Sequence, residues 1–344
     1  MGAPEGLPGP CEYVAWETQR RPQRPEGQGQ GNGEVGCTEP EQQGQQQQQQ
    51  QRRPAAAEPS WSERDCLAAA EAGDLAALRG AHGRGWPIKS EACAAAARGG
   101  RLDTLRWLRG EAAVPWEDAA NNLGTCPSAA EGGHLTVLQF ARGDGCPWDE
   151  STCHKAAQHG HLRVLQWARE QGCPWSAETA SFAAYAGHLD CLRWVTEQGC
   201  PWNELITSLP AQRGHLHILR WLFDQTLRTV AWHPRTSYVA AQAGHLEVLR
   251  WARARGCPWH EQACAAAAGA GHAEALHWLR SEGCPWGAET AAACARAGDL
   301  GTLIWAREQG CPWDGSTLFE ARQGGWAEVE AWAKGHGCPE PDDY

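Results

Sequence analysis

The chain is short of the residues most folds use to fill a core, with one methionine, four phenylalanines and four tyrosines among 344 residues. No apolar run comes near the roughly 20 residues that a membrane helix needs. Apolar and polar residues hardly ever alternate, which points away from β-sheet. The opening stretch MGAPEGLPGPCEYVAWETQR has neither a charged n-region nor an apolar h-region, and no Asn-x-Ser/Thr sequon occurs anywhere. Gly6 stands where a myristoylation signal wants Ser or Thr. These absences set the expectation of a protein of the cytoplasm or nucleus with reduced thiols and no membrane contact.

Basic charge is scarce too. The formal net charge is -11, and the basic clusters in the N-terminal part are the pairs Arg20-Arg21 and Arg52-Arg53, so nucleic acid is not an expected partner. Enzymatic signatures are missing: no G-x-x-x-x-G-K-[ST], no G-x-S-x-G, no H-E-x-x-H, and no Gly-rich phosphate loop after a strand. No C-x-x-C pair exists among the 16 cysteines. Catalysis is therefore not expected, nor is a cofactor or metal.

What the chain has in excess is tryptophan, 20 residues, and that excess comes from repetition. The glycines Gly73, Gly100, Gly133, Gly160, Gly187, Gly214, Gly244, Gly271, Gly298 and Gly325 each close a similar stretch, and seven of the nine intervals between them are 27 residues. The other two intervals, 33 and 30 residues, read as insertions, the longer one around Asn121 and Asn122. Such a period marks a stacked repeat array.

Each unit reads as two helices. In DESTCHKAAQHG, Asp149 to Gly160, acidic and hydroxyl residues suit a helix start, and Gly160 suits the left-handed residue that ends one. In HLRVLQWAREQG, Leu162, Leu165 and Trp167 or Ala168 make an apolar stripe, with Arg163, Gln166, Arg169 and Glu170 opposite. Gly172 and Pro174 stop the second helix. Helices this short cannot bury their stripes alone. The fold class expected is all-α: an α-solenoid of about ten stacked helix-turn-helix units over residues 60–338. Residues 1–59, rich in Gly, Pro and Gln with a polyglutamine run from Gln45 to Gln51, read as a disordered tail, and 339–344 as a short C-terminal one.

The unit TCHKAAQHGHLRVLQWAREQGC, Thr152 to Cys173, resembles an ankyrin repeat in Thr152, Ala156, Ala157, Gly160, His161, Val164 and Gly172. The same match recurs over Gly187 to Gly199 and Gly244 to Gly256. The units are six residues shorter than the family's usual 33; the shortfall lies in CPWDES, where an ankyrin repeat carries its hairpin finger, and Cys153 and Trp167 replace a Pro and a Leu. A tetratricopeptide array fits less well, because its period and Trp-Leu-Gly-Tyr pattern are absent. The ankyrin resemblance implies a non-catalytic scaffold that binds another protein on a concave face, and a monomer is expected.

Several features invite chemistry. Six units place histidine after the landmark glycine, at 134, 161, 188, 215, 245 and 272, while the others have Asp74, Arg101, Asp299 and Trp326. A polar start to the second helix accounts for His and Asp alike, and Arg and Trp are not ligands. Eight Cys-Pro pairs, Cys173-Pro174 among them, leave a haem- or metal-responsive thiol sensor as the alternative reading. Arg109, Arg142, Arg169, Arg253, Arg280, Arg307 and Lys334 make a cationic stripe two residues after the helix tryptophan, expected as a solvated face. The tryptophans themselves, in helix and loop registers, are expected as packing between units. Candidate partner-binding residues are the first-helix side chains that differ between copies: His154, Lys155, Gln158, Phe182, Tyr185, Gln212, Arg213, Tyr238, Gln242 and Arg296.

Overall fold

The computed structural model of the chain describes residues 61–116, 124–226 and 231–341. The tail expected over 1–59, the insertion around Asn121 and Asn122 and residues 342–344 lie outside the described residues. The unit that begins at Trp61 is all-α among the described residues: twenty α-helices in ten pairs, one short 3-10 turn at Glu204–Ile206, and no strand.

The first helices of the pairs are Glu63–Ala72, Glu91–Arg98, Thr125–Glu131, Glu150–Gln158, Ala177–Ala186, Ser208–Gln212, Thr236–Gln242, Ala263–Gly269, Ala288–Ala297 and Gly315–Gln323. The second helices are Leu75–Gly83, Leu102–Gly110, Leu135–Gly143, Leu162–Glu170, Leu189–Glu197, Leu216–Thr226, Leu246–Ala254, Ala273–Ser281, Leu300–Glu308 and Ala327–Gly335. Each first helix packs on the next one in sequence order, whereas second helices pack mainly on their own first helix. This is a solenoid. Among the described residues no helix is long and apolar enough to cross a membrane.

Side-chain size explains the two layers. Three residues before the landmark glycine, nine units carry alanine, from Ala70 through Ala157 and Ala184 to Ala295, each at most 2% exposed. Alanine lets neighbouring first helices approach closely at little entropic cost. Five residues after the glycine, the same nine units carry leucine, from Leu78 through Leu165 and Leu192 to Leu303, each at most 1% exposed. A leucine buried this fully contributes about 1.5–3 kcal/mol, and these leucines fill the space between the layers. The tenth unit breaks both rules with Arg322 and Glu330, whose side chains pair at 2.8 Å. Arg322 also reaches Glu340 at 2.6 Å, so the last unit carries charge where the others carry core. Terminal units of solenoids need such a polar outer face.

Helix ends follow the sequence closely. Asp149 accepts from the Ser151 N–H at 2.9 Å, Asp314 from the Ser316 N–H at 3.0 Å, and Ser62 forms a capping box with Asp65. Where His233 and His260 stand at this position, Nδ1 accepts from the backbone N–H of Arg235 and Gln262, each at 3.2 Å. Gly160 closes a first helix at φ 74° and Gly172 a second one at φ 81°, a conformation only glycine adopts without strain.

Candidate functional site

The residue after each landmark glycine sits at the junction between units. His161 Nε2 donates to the Glu131 carbonyl at 3.0 Å, and His245 Nε2 to the Gln212 carbonyl at 3.2 Å, each reaching one unit back. Arg101 Nε donates to the Glu71 carbonyl at 2.9 Å and Trp326 Nε1 to the Arg296 carbonyl at 3.1 Å. Histidine, arginine and tryptophan thus do one job: a planar N–H donor satisfies a free carbonyl at the end of the preceding first helix. The ring also roofs the preceding glycine, so closely that a Cβ on Gly133 would lie 2.5 Å from His161, and one on Gly160 would lie 2.6 Å from His188.

This corrects the expectation that His and Asp play the same part. His134, His161, His188, His245 and His272 make no side-chain cap to their own helix. Asp74 and Asp299 do, accepting from the N–H of Ala77 at 3.0 Å and Thr302 at 2.9 Å. A carboxylate cannot donate to a carbonyl, and before Asp299 the preceding Gly271 is left unroofed.

The Cys-Pro loops are internal. All 14 cysteines of the described residues are buried and outside any disulfide. Cys173 Sγ donates to the Asp149 carbonyl at 3.3 Å, Cys200 Sγ to Ser176 at 3.3 Å and Cys338 Sγ to Asp314 at 3.3 Å, tying the end of each unit to its own start. Cys173 therefore has a structural role at the seam of its unit. Burial pushes the Cys200 and Cys311 thiols up to about 11 and Cys257 up to about 12. Cys153 is raised as well, by its hydrogen bond with Cys173 and by burial. Protonated, enclosed thiols are poor nucleophiles and poor ligands. Among the described residues no group of three or more His, Cys, Asp or Glu is placed to hold a metal ion.

The cationic stripe is a set of clamps, which sequence reasoning missed. Arg169 Nη1 donates to the Cys173 carbonyl at 3.0 Å while its guanidinium stands 4.5 Å from the Trp175 ring centre. Trp175 meets Trp194 edge to face at 5.8 Å. The arrangement recurs at Arg253, Cys257, Trp259 and Trp278, and again at Arg280, Cys284, Trp286 and Trp305. Arg142 and Arg307 bond the Cys146 and Cys311 carbonyls in the same way. The available signal was the spacing Arg, Cys at +4, Trp at +6. Trp107 and Trp221 are buried, but Trp167, Trp194, Trp251, Trp278 and Trp305 are half-buried, so the tryptophans seal the loop edge and do not fill the core.

The partner-binding candidates fall in small groups spanning neighbouring units. His154 is buried: Nε2 lies 3.0 Å from Ser176 Oγ and its ring 5.5 Å from Phe182. Burial pulls its pKa below the ordinary histidine range against the pull of Glu150, Glu178 and Asp149. It packs a junction and presents little to a partner. Lys155 pairs with Glu131 at 3.5 Å, and Gln158 beyond it is half-buried. Tyr185 lies under the exposed Arg213 guanidinium at 4.8 Å, beside Gln212. Tyr238 sits between Arg235 at 5.2 Å and His260 at 5.3 Å, with Gln242 exposed one turn on. Arg296 is apart from all of these and pairs with Glu320 at 3.8 Å.

These features define a class, the α-solenoid of short two-helix repeats with planar N–H donors at the junctions. No family model and no curated protein matches the chain.

Proposed function

We propose that the chain is a non-catalytic scaffold that binds another protein along the outward side of its first helices. The observation that carries this reading is a contrast between positions. Three residues before the landmark glycine and five after it, nine of ten units repeat alanine and leucine. Two residues before it the units carry Glu71, Arg98, Glu131, Gln158, Tyr185, Gln212, Gln242, Gly269, Arg296 and Gln323, none of them buried. Fixed positions build the stack, and non-repeating positions give each unit a different surface.

The likeness to ankyrin repeats supports the same reading through Thr152, Ala156, Ala157, Gly160 and His161, although each unit lacks the residues for a hairpin finger. Contact then falls to the helices. The thiol-sensor alternative loses support, because the Cys173 and Cys200 sulfurs donate inward to carbonyls and burial raises the Cys200, Cys257 and Cys311 thiols, while Cys284, lowered by its hydrogen bond with Cys264, is buried as well. A reducing compartment, cytoplasm or nucleus, suits so many buried thiols outside disulfides.

The test is affinity isolation with the full chain and with the triple variant Phe182→Ala, Tyr185→Ala, Tyr238→Ala. These side chains are half-buried, and the expected result is a lost set of bound proteins with the unfolding transition still cooperative. An unchanged set of bound proteins would contradict the proposal.

A further inference from the structure

The edge where the fifth, sixth and seventh units meet differs in charge from the rest of an acidic chain. Arg213 is exposed, stacked on Tyr185 at 4.8 Å, and among the described residues no carboxylate lies within ion-pair distance of it. This cation–π contact uses the guanidinium charge, not its hydrogen-bond donors. Around it stand His215, two residues on; His217, exposed and 5.7 Å ring to ring from His215; His188 from the preceding unit; and His245 from the next.

The charged groups acting on His215 are His217, Arg213 and His188, and those acting on His245 are His272 and Arg213. None of these is an acid. Of the carboxylates one turn into the neighbouring second helices, Glu247 is occupied by Arg250 at 3.7 Å and Asp190 is exposed. A guanidinium with a ring of imidazoles and no internal counter-ion is a site for an external anion.

We propose that this edge is the docking point for a carboxylate-rich segment of the partner protein, held by Arg213, with His215 and His245 adding positive charge beside it when protonated. The inference rests on the protein-binding reading above and names the chemistry of the partner. Burial first, then the neighbouring cations, keeps His215 and His245 below the ordinary histidine range, so both are neutral at pH 8. A bound carboxylate favours the protonated rings, so by linkage affinity rises as pH falls.

The experiment is fluorescence anisotropy of a labelled hexaglutamate peptide with the full chain at pH 8.0 and 6.0, with hexaglutamine as the neutral control. The expected result is binding about tenfold or more tighter at pH 6.0, weakened at least about tenfold in Arg213→Gln and left alone in Arg106→Gln, whose side chain lies on a second helix against Asp103. His245→Gln keeps a donor for the Gln212 carbonyl and is expected to flatten the pH dependence. Equal affinity for both peptides, an Arg213→Gln variant that binds like the parent, or affinity indifferent to pH would overturn the proposal. If hexaglutamate fails while the first-helix triple variant still loses its bound proteins, the acidic-segment proposal falls and the scaffold reading stands.

Discussion

His161 Nε2 lies 3.0 Å from the carbonyl oxygen of Glu131, thirty residues earlier, while its ring covers Gly133. One side chain thereby closes the end of one helix and positions the next unit. His161→Ala removes the donor and leaves a helix-end carbonyl unpaired, which costs about 1–2 kcal/mol. His161→Arg should recover part of that loss, because Arg101 makes the equivalent bond to Glu71 at 2.9 Å. Urea unfolding midpoints of the two variants check the order, and an arginine variant no better than alanine would contradict the role.

Acid should loosen the stack. Burial lowers the pKa of His154, His159, His215 and His245 in the folded chain. A lowered folded value means that the unfolded chain binds protons first. The stabilisation is therefore complete above the ordinary histidine value of about 6.5 and is lost as pH falls through it toward the folded values. Thermal midpoints by circular dichroism should be flat from pH 7.5 upward and fall as pH drops below about 6.5. A midpoint that rises over the same window would contradict the assignment.

The Arg-Cys-Trp clamps predict a moderate cost at their aromatic member. Trp194 is half-buried and meets Trp175 at 5.8 Å. Truncation of a fully buried tryptophan costs about 3–5 kcal/mol, so Trp194→Ala should cost about 2–3 kcal/mol. Arg169→Ala, which loses an exposed cation–π contact and a carbonyl bond, should cost about 1 kcal/mol. Denaturant titration measures both, and the reverse order would show that the guanidinium carries the edge.

Thiol chemistry gives an independent check on the loops. Cys173 donates to the Asp149 carbonyl at 3.3 Å inside the fold. The folded chain should react slowly with an aromatic disulfide reagent at the 14 buried positions and fully once unfolded in urea. Rapid reaction of several of these thiols without unfolding would revive a sensor function.

The charged end unit predicts a change of association state. Arg322 and Glu330 occupy positions that are alanine and leucine in the other nine units. Arg322→Ala with Glu330→Leu restores the apolar pattern and exposes it, so concentration-dependent association is expected by analytical ultracentrifugation. A double variant that associates no more than the parent chain would show that the pair has no capping role.

Much of the fold was legible in the sequence. The glycine spacing gave the units, and the apolar stripe around Leu162 and Leu165 gave the second helix. What periodicity could not give was the partner of each repeated residue. The bond from His161 to Glu131 spans 30 positions and that from Cys173 to Asp149 spans 24, and every copy looks alike along the chain. Only geometry separates a histidine that caps its own helix from one that reaches back. The candidate site was legible as a set of non-repeating residues, and packing then divided it, taking His154 inside and leaving Arg213 exposed.

The central claim, that fixed positions build the stack while non-repeating first-helix positions touch the partner, is tested most directly by site-specific photo-crosslinking in cells. Benzoylphenylalanine at Tyr185 or Tyr238 should give a discrete adduct with one protein, and at Arg106 or Arg193 on the second helices it should give none. Adducts from Arg106 and Arg193 with none from Tyr185 and Tyr238 would contradict the account.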